Sequence, residues 1–441
     1  MKTKYFGTDG IRGRSFDFLN AKMAYKIGQS FKEGYDSKKL VIGLDTRDSS
    51  MMLAHMVASG AMSVGIDVIF AGVVPTPMVS NYALKHQITG VMVTASHNPY
   101  YDNGIKIFNK GQKSSKHEEL IIETYIDGKE AGLLEFGNFE LSEDVKLEYL
   151  KVIDALELKK SDLKIVYDSA HGANYLISKE IFDKYYPNSV QINFEPNGKN
   201  INKNVGSTYL DSIKDYIRKN NMDLGFSYDG DGDRVLMVGS NGLTYDGDMI
   251  NYIIATHLKT LGKLNGNTVV LTKMTNPGIL KALKDKGINY ILTDVGDKYV
   301  SEQLELNNYS LGGESSGHII IRDLLHTGDG LLASLYIIKT LIEEDLNLDD
   351  IVKDVKLYPF EMINIKNINK EVLNKENVIK YLTEVSKEFE EDDIFLIRAS
   401  GTEPLIRVTI SCSSLDKLNS KIKEVVEFIK KEGELTWKNM V

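Results

Sequence analysis

Three times along this chain, a strand-like run arrives at a loop and another leaves it within a few residues, and this limits the fold more than any other feature. Gly90-Val91-Met92-Val93 enters residues 94–99 and Ile105-Lys106-Ile107-Phe108 follows. Residues 224–228 enter loop 229–234 and Val235-Leu236-Met237-Val238 follows. Tyr309-Ser310-Leu311 enters loop 312–318 and His318-Ile319-Ile320-Ile321 follows. A parallel return needs a crossover of about a dozen residues or more, so each leaving strand must pair antiparallel to the arriving one. Strand, helix and strand lie ahead of each pair: 40–44, 51–65 and 67–70; 163–167, 175–185 and 190–194; 268–272, 277–286 and 289–292. Alternating strands and helices predict βαβ units in mostly parallel sheets.

The sequence therefore predicts an α/β protein with three similar mixed-sheet α/β/α domains. Strands at 394–397 and 405–410 and an amphipathic helix carrying Leu418, Ile422, Val425, Val426 and Ile429 predict a smaller C-terminal α+β domain. Expected boundaries are 1–155, 156–256, 257–366 and 367–441, with the Asn- and Lys-rich stretch 364–377 as linker and hinge. A length of 441 residues is too great for one core. The net charge of −9, from 53 basic and 62 acidic residues, gives no basic excess for nucleic acid. Cys412 is the only cysteine, which excludes an intramolecular disulfide, and it is expected to be buried in a strand. The first residues lack the apolar run of a signal peptide, and nowhere do about 18 apolar residues run together. A cytoplasmic protein without membrane or nucleic-acid partners is expected.

Each loop carries its own chemistry. Ser96, in Thr94-Ala95-Ser96-His97-Asn98-Pro99, sits at the C-terminal end of a strand, where open α/β sheets place ligands. Pro99 keeps Asn98 out of helix, so the Ser96 hydroxyl is expected to point outward. Asp229-Gly230-Asp231-Gly232-Asp233 puts three carboxylates at alternate positions, with glycines for a tight turn. Such charges repel unless a cation lies among them, and an all-oxygen set suits a hard ion such as Mg²⁺. An EF-hand loop is excluded, because its glycine slot holds Arg234 and its closing glutamate slot holds Ser240. Residues 398–404, with Arg398, Ser400, Gly401 and Thr402, and Arg407 just beyond, offer guanidinium forks, hydroxyls and a glycine turn for a phosphate. No Walker A sequence occurs. In residues 312–318, Glu314 is an acceptor for sugar hydroxyls, with Ser315 and Ser316 beside it. Residues 313–317 also fit a G-x-S-x-G elbow, but the β-branched run after it and the lack of a well-separated acid and later histidine oppose a serine hydrolase.

These four loops, in this order, resemble those of the α-D-phosphohexomutases, and the resemblance covers essentially the whole chain. Residues 5–13, 98–106, 200–208 and 327–330 resemble the branch of that family acting on glucosamine phosphates. Ser315 and Lys298 stand where that branch commonly has Gln and Arg. The resemblance implies four domains around a central cleft, a phosphorylated Ser96, and Mg²⁺ on Asp229, Asp231 and Asp233 with Ser96. It implies interconversion of glucosamine 6-phosphate and glucosamine 1-phosphate through glucosamine 1,6-bisphosphate, supplying UDP-N-acetylglucosamine synthesis. Arg12, Lys106 and His318 match family positions near the transferring group, and His97, Arg234 and Lys298 are further candidates. Glu314 and Ser316 would hold the sugar, and Arg398, Ser400, Gly401, Thr402 and Arg407 the other phosphate. A phosphosugar substrate and a monomer or homodimer are expected. A phosphomannomutase/phosphoglucomutase of the same family is the alternative reading.

Overall fold

The computed structural model describes residues 3–7, 9–35, 38–132, 135–400 and 404–438. Among them, four sheets form, and three share one strand order. In the first, Asp67–Val73, Lys39–Leu44, Thr89–Val93 and Asp102–Asn109 lie side by side. Val190–Ile192, Ile165–Asp168, Leu224–Tyr228 and Val235–Gly239 repeat the arrangement, and so do Asn289–Thr293, Thr268–Thr272, Leu311–Gly313 and Ile319–Ile321. In each, the first three strands are parallel and the fourth is antiparallel, as the short returns require. The first sheet is extended by the antiparallel Gly10–Arg14 beside Asp102–Asn109 and by Phe139–Leu141 beside Asp67–Val73.

Alternation along the strands divides them between two cores. Leu40, Ile42 and Leu44 pack with Val91, Val93, Ile105 and Ile107 on one face of the first sheet. Val41, Met92 and Phe108 point to the other face, into a core that runs on through Tyr149, Tyr167, Tyr228, Ile253, Leu271 and Leu335. One continuous core thus joins the first three sheets and fixes where their loops stand relative to one another. The fourth sheet, Phe360–Lys366, Leu405–Ser411 and Ile394–Ala399, has its own core with the helix Leu415–Lys438.

The polar stretch 364–377 is not a linker. Asn364, Ile365 and Lys366 end a strand paired along its length with Leu405–Ser411, and the turn Lys370–Asn374 and helix Glu376–Ser386 follow. The alternating Ile363 and Ile365 put one strand face against the core, and that outweighs the Asn and Lys content. The connection is instead residues 353–359, pinned where Asn276 donates to the Tyr358 carbonyl and accepts from its N–H, each at 2.9 Å. Cys412 is buried as expected, but one residue beyond the strand. Among the described residues no helix is long and apolar enough to cross a membrane.

Asp329 ties the third unit to the helix Asp144–Asp154, which leads from the first sheet to the second. Its Oδ1 caps the helix Gly330–Glu344 by accepting from Leu332 N–H at 3.0 Å, and its Oδ2 accepts from the Tyr149 hydroxyl at 2.7 Å. Both residues are buried, and burial pushes the Asp329 carboxyl up to about 6. Tyr149→Phe leaves Oδ2 without its donor and should cost about 1–2 kcal/mol. A lowered midpoint of thermal unfolding with unchanged circular dichroism checks this; an unmoved midpoint would show that the contact contributes nothing.

Candidate active site

Ser96 lies just past the strand Thr89–Val93 in left-handed backbone, φ 53°, with its N–H donated to Thr94 Oγ1 at 2.9 Å. The residue is only 1% exposed, so the hydroxyl does not point outward as expected. The carboxylate loop of the second unit covers it. The Ser96 hydroxyl donates to Asp229 Oδ2 at 2.7 Å and lies 3.1 Å from His97 Nδ1. With its single proton committed to Asp229, the hydroxyl must accept from His97 Nδ1–H. Burial and the nearby Arg234 and Arg12 push the His97 ring down to about 4, so it is neutral at neutral pH.

Asp229, Asp231 and Asp233 are all buried, and one carboxylate oxygen from each lies within 4.8 Å of the others. Gly232, at φ 73°, supplies the turn that gathers them. Gly230 permits the close approach of the serine loop, because a Cβ there would meet Ser96 O at 2.7 Å. The other two units grip the same loop. Thr76 donates its hydroxyl to Asp231 Oδ2 at 2.6 Å and its N–H to the Asp231 carbonyl at 2.9 Å. Gly330 N–H donates to the Gly232 carbonyl at 3.0 Å.

Burial, then repulsion from Asp231 and Asp233, raises the Asp229 carboxyl well above the usual carboxylate range. Burial alone would raise Asp233 too, but Lys106 and His318 hold it well below that range. Asp231 Oδ1 and Asp233 Oδ1 are buried without a hydrogen-bond partner among the described residues. Converging oxygens with unused acceptors and a raised neighbour fit a hard divalent cation, which removes the mutual repulsion.

Lys106 is 2% exposed, and its Nζ lies 2.7 Å from Asp231, 2.8 Å from Asp233 and 3.1 Å from Asp9. Burial would lower its pKa, but these three carboxylates raise it well above the ordinary lysine value. Asp9 also pairs with Arg12 and Lys113, and Lys113 reaches on to Asp297. His318 closes the ring, with Nε2 3.6 Å from Asp297 and Nδ1 3.9 Å from Asp233. Burial opposes a charge on His318, yet Asp233 and Asp297 raise its pKa. Lys298, Asp297, Gly296, Asp9, Lys106 and Lys113 line a cleft of about 180 Å³ between the first and third units. Glu314, largely buried, accepts the Gly296 N–H at 3.0 Å; the Arg234 N–H donates to Asp229 at 3.2 Å. Ser316 Oγ is buried and has no hydrogen-bond partner among the described residues.

On the fourth sheet, Arg398 and Arg407 stand opposite each other on neighbouring strands. The Ser400 N–H donates to the Leu405 carbonyl at 2.9 Å and Lys370 Nζ donates to the Ser400 carbonyl at 2.7 Å. Gly401 and Thr402 lie outside the described residues. Sequence reasoning gave no role to Asp9, Thr76, Lys113 or Asp297. Asp9 falls within the stretch 5–13 and Asp297 is the neighbour of Lys298, and nothing local marks Thr76 or Lys113.

A serine hydroxyl held against a buried carboxylate trio, inside three repeated α/β/α units and a fourth smaller one, defines a multidomain enzyme of the phosphoryl-transfer type. The comparisons with known proteins agree. The alpha/beta/alpha domains I, II and III of phosphoglucomutase/phosphomannomutase match residues 3–132, 147–242 and 246–358, and the C-terminal domain matches 362–428. The chain is 40% identical to a phosphoglucosamine mutase of Caldicellulosiruptor saccharolyticus, over 97% of this chain and 98% of that one. In fold it is similar to a phosphoglucomutase/phosphomannomutase family protein of Burkholderia thailandensis, with TM-score 0.82 at 20% identity over 97% of each chain. It is also similar in fold to Aspergillus fumigatus N-acetylphosphoglucosamine mutase in complex with GlcNAc-6P and magnesium, with TM-score 0.64 at 17% identity over 98% of this chain and 96% of that one. The chain belongs to the phosphoglucomutase/phosphomannomutase family and is a phosphohexomutase, an isomerase.

Mg²⁺ alone should raise the thermal midpoint of the wild-type protein, by about 2.7 kcal/mol of stabilisation at a hundredfold excess over Kd. Asp231→Asn should lose most of that shift. An equal shift in both proteins would place the cation elsewhere.

Proposed function

We propose that the protein interconverts glucosamine 6-phosphate and glucosamine 1-phosphate in the cytoplasm, through a phosphorylated Ser96 and glucosamine 1,6-bisphosphate. The observation that carries this reading is the Ser96 hydroxyl held 2.7 Å from Asp229 within the buried carboxylate trio. The name carried by the 40% identical relative supports glucosamine phosphate over glucose or mannose phosphate. Asp229, Asp231 and Asp233 would hold Mg²⁺ together with Ser96, and the bound ion supplies positive charge to the phosphoryl oxygens.

Phosphoryl transfer is mainly positioning and charge stabilisation. The bond from phosphorus to Ser96 Oγ breaks as one to a sugar hydroxyl oxygen forms. Lys106 and Arg12 neutralise charge on the moving group. His318 takes the proton of the attacking hydroxyl and returns it when the bisphosphate gives its other phosphate back to Ser96. Glu314 and Ser316 hold the sugar hydroxyls, and Lys298 lines the cleft between the first and third units. Arg398, Ser400, Gly401, Thr402 and Arg407 hold the phosphate that is not moving. The bisphosphate must turn round between the two half-reactions, so one such cradle serves both directions.

The test is a mutase assay with glucosamine, glucose and mannose 6-phosphates. Glucosamine 6-phosphate should be the best substrate by kcat/KM; a preference for glucose or mannose phosphate would move the protein to the neighbouring branch, for which Ser315 and Lys298 are the observations to pursue. Ser96→Ala should leave below about 1% of the wild-type rate, since no other group is placed to carry the intermediate. Substantial residual turnover would overturn the phosphoserine assignment. Glu314→Gln should weaken sugar binding while Ser96 is still charged by a bisphosphate. Equal loss of both steps would place Glu314 on the phosphoryl group instead.

A further inference from the structure

The carbonyl side of the Ser96 loop is held as closely as its hydroxyl side. Arg47 is buried, and all five of its N–H donors are used. Its Nε donates to Asp45 Oδ2 at 2.8 Å. Its Nη2 donates to the carbonyls of Ser96 at 2.8 Å and Asn98 at 2.9 Å. Its Nη1 donates to the carbonyls of Pro99 and of Asp102, the latter at 3.1 Å. Asp45 is fixed in turn, accepting from Arg47 N–H at 3.0 Å and from Ser50 Oγ at 2.6 Å.

The second unit grips the same two carbonyls. Asn202 Nδ2 donates to Ser96 O at 2.8 Å and to Asn98 O at 3.1 Å. Asn202 lies in the stretch 200–208, which the site described above does not use. It is itself left-handed, φ 56°, with its N–H donated to the Ala170 carbonyl at 3.0 Å. A Cβ on Gly230 would meet both Asn202 Nδ2 and Ser96 O at 2.7 Å, so the grip lies directly against the carboxylate loop.

We propose that Arg47 and Asn202 are positioning residues for phosphoryl transfer, which from two units of the chain hold the Ser96 and Asn98 carbonyls and so aim the Ser96 oxygen at the carboxylate trio. The proposal rests on the phosphoserine reading above. Left-handed backbone at a serine is unfavourable and persists only where the surroundings over-determine it. Six hydrogen bonds onto four carbonyls of one short loop do this. Only a planar fork reaches four carbonyls at once; a lysine keeps the charge and loses the geometry. Neither residue touches the transferring group, so their loss should slow the chemical step and leave sugar binding alone.

The experiment compares full-length wild type, Arg47→Lys and Asn202→Ala with Mg²⁺ present. A hexose 1,6-bisphosphate charges Ser96, followed by intact mass, and kcat and KM are then measured with the phosphosugar. Displacing a reacting atom by about 1 Å costs about 10²-fold in rate, and Arg47→Lys should lose that much in both charging and kcat. Asn202→Ala should lose about tenfold, since Arg47 still holds the loop. KM should stay within about twofold in both, the sign of an interaction that acts on the transition state and not on binding. Asn202 is only partly buried, so Asn202→Ala carries the test alone if Arg47→Lys does not fold. Charging and kcat within about twofold of wild type in Asn202→Ala, or a loss confined to KM, would overturn the positioning role. A wild type that is never charged would overturn the phosphoserine reading and this proposal with it; charging at equal rates in all three proteins would overturn this proposal alone.

Discussion

The site depends on the burial of three carboxylates at one point. Asp229, Asp231 and Asp233 are out of water and close enough for one ion to touch all three. A burial of like charges is tolerated only with compensating cations, and the surrounding structure supplies them. Lys106 comes from the antiparallel fourth strand of the first sheet, and His318 from the residue just before its counterpart in the third. Each lies next to a carboxylate of the second unit. The charge balance of the loop thus depends on the three units being assembled, and their shared core assembles them.

This dependence shows in how the loops are held. The carboxylate loop is bound through Thr76 on one side and Gly330 on the other, and Ser96 is pressed against it through a glycine without a side chain. A serine held in left-handed backbone beside buried charge is costly in isolation, and the neighbouring units keep it there. The fourth sheet stands apart from this arrangement, with a separate core. It meets the third unit through Lys284 with Asp392 and the pinned segment 353–359.

Much of this was legible in the sequence because it is local. The strand–loop–strand spacing forces an antiparallel return, and three copies of it define the repeated sheet. Asp229, Asp231 and Asp233 are recognisable because their ligand geometry is set within five residues. What was not legible depends on distant pairing. Thr76 sits at the start of an ordinary helix, and only the approach of the second unit turns its hydroxyl toward Asp231. Lys113 reads as a surface lysine until the third unit brings Asp297 to it. Ser96 reads as exposed because Pro99 breaks the helix, yet the loop that covers it lies more than a hundred residues away. The stretch 364–377 reads as coil by composition, and its strand face appears only when Ile363 and Ile365 have a partner sheet.

The central claim is that Ser96 passes its phosphoryl group to the sugar inside this site. The direct test is a single turnover: protein carrying phosphorylated Ser96 is mixed with an equal amount of glucosamine 6-phosphate and quenched at intervals. Protein mass and sugar products are followed together. The account predicts that each phosphoryl group lost from the protein appears first in a hexosamine bisphosphate and then, in part, returns to Ser96 as glucosamine 1-phosphate forms. Loss of the group only as inorganic phosphate, or product formation with the protein's phosphorylation never changing, would contradict it.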